Sequence, residues 1–236
     1  MGVFLAPMAG VTDLAFRLIA REYGADLVVS EMISAQALVF GNKRTVQMLT
    51  TEEAERPVAI QLFGHKPEVM AEAAQIVLEH CQPEMLDLNF GCPTPKIVKN
   101  GDGAALMREP KLLEEIVAAV VRVSTVPVTA KIRLGWDKHS INCVEVAQRA
   151  ADAGAHWITI HARTRDQFYA GKADWTWIRR VVQACSVPVV ATAMFSVRQT
   201  LCGCWRRRDA PMLQLAAVPK AIHGSFAMCR RLCGAR

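Results

Sequence analysis

Between residues 3 and 190 seven short apolar, β-branched runs alternate with longer stretches of helical periodicity, and this alternation leaves few folds open. The runs are Val3 to Ala6, Leu27 to Val29, Val58 to Leu62, Met85 to Asn89, Val128 to Ile132, Trp157 to His161 and Val187 to Val190. Helical patterns lie between them at Asp13 to Tyr23, Pro67 to His80, Pro110 to Arg122, Ile141 to Ala153 and Trp175 to Ala184. Several open on Pro or Asp, and two close on Gly24 and Gly154, the expected start and stop residues. Strands that alternate with helices build a parallel sheet.

Periodicity alone does not separate a doubly wound sheet from a closed barrel. Polar residues do, because Gln61, Asn89 with Cys92, Lys131 with Arg133, and His161 with Arg163 recur at the C-terminal ends of successive strands. In a (β/α)8 TIM barrel those ends converge on one mouth, where active sites sit. In a doubly wound sheet they would be spread along an edge. The expected class is therefore α/β, a TIM barrel.

A chain of 236 residues, 52% hydrophobic and 21% charged, can bury one sizeable core and is short for two domains. The formal net charge of +6 resembles a nucleic-acid footprint, but residues 191–236 alone carry +7 and residues 1–190 carry −1. The basicity thus says little about the folded body. Cys81, Cys92, Cys143 and Cys185 are scattered through that body without paired spacing, which predicts a reduced, cytoplasmic protein. Neither a membrane span nor a signal peptide is expected.

The segment Asn89-Phe90-Gly91-Cys92-Pro93-Thr94-Pro95-Lys96 places a cysteine on a turn stiffened by two prolines, with Lys96 and Lys99 close by. A free cysteine is most often a small buried hydrophobe. On a strand-end turn it can instead be a nucleophile or a general acid. Lys131 lies in an otherwise apolar strand, where an ammonium requires either an acidic neighbour or an anionic ligand such as a reduced flavin. His161 ends an apolar strand and reads equally well as a core histidine, and with no second histidine at ligand spacing no metal site is expected. Gln61 offers an amide able to donate to and accept from a heterocycle edge. Lys96, Lys99, Arg133, Lys138, Arg163, Arg165 and Lys172 form either a basic rim for phosphates or scattered surface charges. Gly101-Asp102-Gly103 is a weak glycine signal, and no dinucleotide fingerprint or P-loop is present.

Together, Leu5-Ala6-Pro7-Met8-Ala9-Gly10-Val11-Thr12-Asp13, Ser30-Glu31-Met32, Gln61-Leu62-Phe63-Gly64, Asn89-Phe90-Gly91-Cys92-Pro93, Lys131-Ile132-Arg133-Leu134-Gly135 and His161-Ala162-Arg163-Thr164-Arg165 resemble the tRNA-dihydrouridine synthases, near the bacterial B-type branch. The resemblance runs in order over residues 3 to 190. It implies an FMN-dependent barrel that reduces the C5=C6 bond of uridines in tRNA, with NADPH as reductant. It also implies that Pro7, Met8 and Ala9 line the flavin, that Gln61 and Asn89 bond its ring, that Lys131 and His161 stabilise its reduced form, and that Cys92 protonates C5. The alternatives are another FMN barrel oxidoreductase acting on a pyrimidine, or an inactive pseudogene product.

The resemblance stops after Val190, where the family pattern has Gly-Asn-Gly-Asp and this chain has Ala191-Thr192-Ala193-Met194-Phe195. One permitted codon set for these five residues, read from one nucleotide earlier, encodes Gly-Asn-Gly-Asp-Val. Trp205 to Phe226, shifted likewise, permit LEETGCADVAIGRGAQGHPWIF. A frameshift near the Val190 codon is therefore expected, with residues 1–190 a partial FMN-binding barrel and residues 191–236 an out-of-frame tail without native structure. On this expectation strand eight and the C-terminal helical region are missing, and strands one and seven keep unpaired edges. A metal or RNA module built on Cys202, Cys204, His223, Cys229, Cys233 and Arg206 to Arg208 is the rival account of the tail.

Overall fold

The computed structural model describes residues 2–194 and 212–216. Eight parallel strands follow one another around a closed barrel: β1 Val3–Leu5, β2 Leu27–Ser34, β3 Val58–Phe63, β4 Met85–Asn89, β5 Val128–Ile132, β6 Ile158–His161, β7 Val189–Met194 and β8 Met212–Ala216. The TIM-barrel expectation holds, and one part of it is corrected. Met212 to Ala216 occupy the eighth position, with Val190 opposite Met212 on one side and Val3 opposite Leu213 on the other. β1 and β7 thus have no unpaired edge. The physical reason is that Met212-Leu213-Gln214-Leu215-Ala216 is itself a short, largely apolar run, which is what a barrel strand requires. β7 also continues four residues past Val190, to Met194. The tail cysteines, His223 and the arginine run lie outside the described residues.

Helices α1 Leu14–Glu22, α2 Ala35–Val39, α3 Lys43–Gln47, α4 Pro67–Cys81, α5 Pro95–Lys99, α6 Pro110–Val123, α7 Cys143–Asp152 and α8 Trp175–Ala184 fill the connections between β1 and β7. Their ends follow local chemistry. The Asp13 and Asp174 side chains cap α1 and α8 by accepting from backbone N–H groups of Phe16 and Thr176, and prolines open α4, α5 and α6. Gly154 follows α7 at φ +100°, where a Cβ would stand 2.9 Å from Val121, so only glycine lets α7 turn back against α6.

Strand alternation divides the barrel into layers. Phe4, Leu27, Val29, Ala59 and Val190 form an apolar plug at the N-terminal end, with Met85 and Trp157 against it and Phe4 stacked on Trp157 at 5.6 Å. Two residues further along the inward faces the plug gives way to Gln61, Asp87, Thr129, Thr159 and Thr192, all buried. Asn89, Lys131 and His161 come two residues later still. The interior is thus a sealed hydrophobic floor under a polar upper storey, which aims every inward polar group at the C-terminal mouth. The strands' other faces join the helices in one large apolar core around Phe90, Leu86, Leu88, Ile60 and Ile132. A buried pair, Arg17 with Glu55, ties α1 to the β2–β3 connection, and Arg17 also donates to the carbonyls of Thr12 and Thr50.

Candidate active site at the barrel mouth

Cys92 is held by its neighbours on both sides. At the end of β4 the Asn89 carboxamide oxygen accepts from the N–H groups of Gly91 and Cys92, at 3.1 and 2.9 Å. Pro93 and Pro95 then stiffen the turn into α5. The Cys92 carbonyl accepts from the Ala104 N–H at 3.0 Å. Gly103, at φ +58°, allows that approach, since a Cβ there would lie 2.9 Å from the Cys92 carbonyl oxygen. The half-buried thiol donates to the Thr94 hydroxyl at 3.3 Å. It is a positioned S–H group rather than part of the core.

Beneath it runs a one-way relay of hydrogen bonds. Asn89 donates to Gln61 Oε1 at 2.8 Å, and Gln61 Nε2 donates to Asp87 at 2.6 Å. Thr129 donates to the other Asp87 oxygen at 2.6 Å. A carboxylate accepts only, so Asp87 fixes the direction of the relay: both amides are locked, and one Gln61 N–H remains to face a ligand. Burial raises the Asp87 pKa to about 6, against the hydrogen bonds from Thr129 and Gln61 and the charge of Lys131.

Lys131 sits beside Asn89 in the strand register. Burial and the nearby Arg133 lower its pKa to about 8, so it is mainly protonated at neutral pH. It forms no ion pair with a carboxylate among the described residues. His161 is neutral, with its pKa pushed down to about 2 by burial and by Lys131, Arg133 and Arg163. Arg163 Nη1 lies 3.1 Å from His161 Nε2. A guanidinium can only donate, so Nε2 accepts and the imidazole proton is on Nδ1.

Arg133 and Arg163 are corrections to the basic-rim reading. Both are buried, and their donors are used on loop carbonyls. Lys96, Lys99, Lys138 and Lys172 are exposed.

The structure therefore joins Cys92, Asn89 and Gln61 by hydrogen bonds, with Lys131 adjacent on β5 and His161 at the end of β6. Pro7, Met8 and Ala9 follow β1. Their turn is closed by Met8, whose carbonyl accepts from Val11 and Thr12, and is linked to β2 through the Gly10 N–H and the Glu31 carboxylate. Asp87, Thr129 and Gly103 were not expected at the site. The first two lie two residues below Asn89 and Lys131, so the period of the inward face could have found them. Among the described residues no group of three or more His, Cys, Asp or Glu could hold a metal ion. No helix there is long and apolar enough to cross a membrane.

A closed parallel barrel with its buried polar layer and a cysteine at the C-terminal mouth defines the class: a TIM-barrel protein with an enzyme-like site. Solved structures of that fold include an amine oxidase acting on 6-hydroxypseudooxynicotine from Pseudomonas geniculata N1. It has a TM-score of 0.68 at 12% identity, covering 98% of this chain and 46% of that one. Another is nitroalkane oxidase from Streptomyces ansochromogenes, with a TM-score of 0.52 at 16% identity, covering 93% and 65%. At these identities the likeness concerns the fold.

The dihydrouridine synthase (Dus) family model matches residues 4–194, and the chain belongs to that family. A probable tRNA-dihydrouridine synthase of Rhodobacter capsulatus is 47% identical over 80% of this chain and 58% of its own length. Probable tRNA-dihydrouridine synthase 1 of Synechocystis is 45% identical over 84% and 56%, and the Rickettsia bellii protein 43% over 80% and 58%. The chain thus spans less than two thirds of the length of these relatives.

Proposed function

We propose that residues 1–190 are the main part of the FMN-binding catalytic barrel of a tRNA-dihydrouridine synthase, which reduces the C5=C6 bond of uridine in tRNA with NADPH as electron source. The observation that carries this is the Cys92 thiol, fixed at the mouth directly above the Asn89–Gln61–Asp87 relay. Family membership and the names of the relatives support it.

The mouth fits a flavin. Lys131 is a cation without a carboxylate in ion-pair range among the described residues, Gln61 has one uncommitted N–H, and His161 offers a neutral Nδ1–H. Gln61 and Asn89 would bond the ring, Lys131 and His161 would face its electron-rich edge, and Pro7, Met8 and Ala9 would border it. Reduced FMN, when bound, would supply the hydride that C6 of the pyrimidine requires.

The protein's own part is to orient and to protonate. Cys92 gives its Sγ proton to C5, and the resulting thiolate lies within the electrostatic reach of the Lys131 ammonium. The apolar floor of the barrel keeps water from reaching the reacting carbons from below. A paired uridine cannot enter such a mouth, so the base must leave its stack.

Residues 191–236, read as out of frame, carry a second part of the reading. The codon agreement supports a frameshift near Val190, and the chain as written is then an impaired enzyme lacking the phosphate cradle expected after strands seven and eight. Incubation of the frame-restored protein with FMN, NADPH and an unmodified tRNA transcript tests the reading. Dihydrouridine should form, and Cys92→Ala should reduce its rate at least a hundredfold. NADPH oxidation indifferent to tRNA would point to a different barrel oxidoreductase.

A further inference from the structure

The loop between β6 and α8 is pinned more firmly than its place on the surface requires. Arg133, from the end of β5, donates through Nη1 to the carbonyls of Thr164 and Phe168 at 2.9 and 2.8 Å, and through Nε to Gly91 at 2.8 Å. Arg163 donates to Ala170 and Gly171, both at 3.1 Å. Two buried guanidiniums thus fix four carbonyls of residues 164–171, and Arg133 couples the same loop to the Cys92 turn.

What this clamp displays is aromatic. Phe168 adopts φ +50°, a left-handed conformation that costs free energy for an aromatic residue and persists only where its surroundings impose it. Phe168 is 36% exposed, and Tyr169 beside it is 59% exposed. The Arg165 guanidinium lies 5.6 Å from the Phe168 ring and 4.4 Å from the Trp136 ring, and Arg108 lies 5.0 Å from Trp136. Neither Arg108 nor Arg165 has an ion-pair partner among the described residues. The loop segments 133–142 and 161–172 carry five Lys or Arg against Asp137 and Asp166.

The exposed Phe168 ring and the half-buried Trp136 ring, beside guanidiniums without ion-pair partners among the described residues, are complementary to a chain of bases and phosphates. We infer that Phe168, Trp136, Arg165 and Arg108 form a stacking platform for an unpaired RNA nucleotide flanking the uridine that enters the mouth. This rests on the uridine-reduction reading and adds a docking surface outside the reacting centre.

The test is binding of a labelled single-stranded RNA decamer containing uridine to the full chain, followed by fluorescence anisotropy at several salt concentrations. Phe168→Leu, which keeps apolar bulk without a π face, should weaken binding at least fivefold, and Phe168→Tyr should retain it. Arg165→Gln should lower the slope of log affinity against log salt by about 0.7. Thermal midpoints identify any variant that fails to fold, and Phe168→Tyr keeps the comparison decisive if Phe168→Leu does. Wild-type affinity in folded Phe168→Leu, equal losses in the Leu and Tyr variants, equal competition by duplex RNA, or no RNA binding by the parent chain would each overturn the platform. Absence of dihydrouridine formation by the frame-restored protein, with RNA binding intact, would count against the chemistry alone.

Discussion

At Lys131, burial and the Arg133 charge favour the neutral amine, giving a pKa of about 8. An anion at the mouth favours the ammonium, so flavin affinity should fall as pH rises through about 8. A titration of FMN fluorescence quenching from pH 6.5 to 9.5 should show that fall, and Lys131→Met should flatten it. Asp87 has the opposite sign. Its raised value, about 6, means the folded chain holds this proton more tightly than the unfolded one. Its contribution to stability is full below the ordinary carboxylate range and is lost as pH rises through about 6. Asp87→Asn removes this loss, so its stability relative to the parent should improve by about 2 to 3 kcal/mol between pH 4 and 7.5, read from urea midpoints. Gly103→Ala forces a side chain against the Cys92 carbonyl at a left-handed φ and should cost about 1 to 3 kcal/mol. A changed rate of Cys92 alkylation would show that the turn itself has moved. Cys92, Asn89, Gln61 and Lys131 were legible because each is a polar residue at the end of an apolar run. Asp87 and Thr129 stand in mid-strand, where no run-end marks them, and are reached only by counting back two residues along the inward face from Asn89 and Lys131.

Among the elements, β4 and β5 fall on the expected residues because both are bounded sharply by turn chemistry. β2 runs on to Ser34 and β7 to Met194, as tertiary pairing extends strands beyond their apolar runs. The five-residue helices α2, α3 and α5 are too short for a 3.6-residue period to register in sequence. The β6–α8 loop depends on Arg133, whose sequence context suggested a rim charge and whose donors in fact bind three carbonyls. Arg133→Ala should therefore expose residues 164–171 to limited proteolysis while the barrel remains intact. Arg133→Lys should not restore protection, because one ammonium cannot reproduce the guanidinium fork.

For the whole molecule, the sequence shows an enzyme barrel up to Val190 and a change of character beyond it. The five residues that close the barrel as β8 are those whose codons, shifted by one nucleotide, permit Asp-Val-Ala-Ile-Gly. Closure at this place in the chain was hidden because the expectation rested on family motifs, whereas a strand requires only a short apolar run. Sequencing the DNA across the codons for Val187 to Phe195 should reveal a missing or additional base. The frame-restored protein should then retain FMN through gel filtration, and the chain as written should lose it. Equal retention by both would show that residues after Met194 contribute nothing to the cofactor site.

The central claim is that Cys92 protonates a uridine held above the relay. Dihydrouridine in a tRNA transcript should be quantified after incubation with the frame-restored, FMN-loaded protein and NADPH, alongside its Cys92→Ala variant. The account predicts dihydrouridine from the parent and at least a hundredfold slower formation in the variant, with flavin binding unchanged. Dihydrouridine formed equally by both, or none from a parent that holds its flavin, would contradict it.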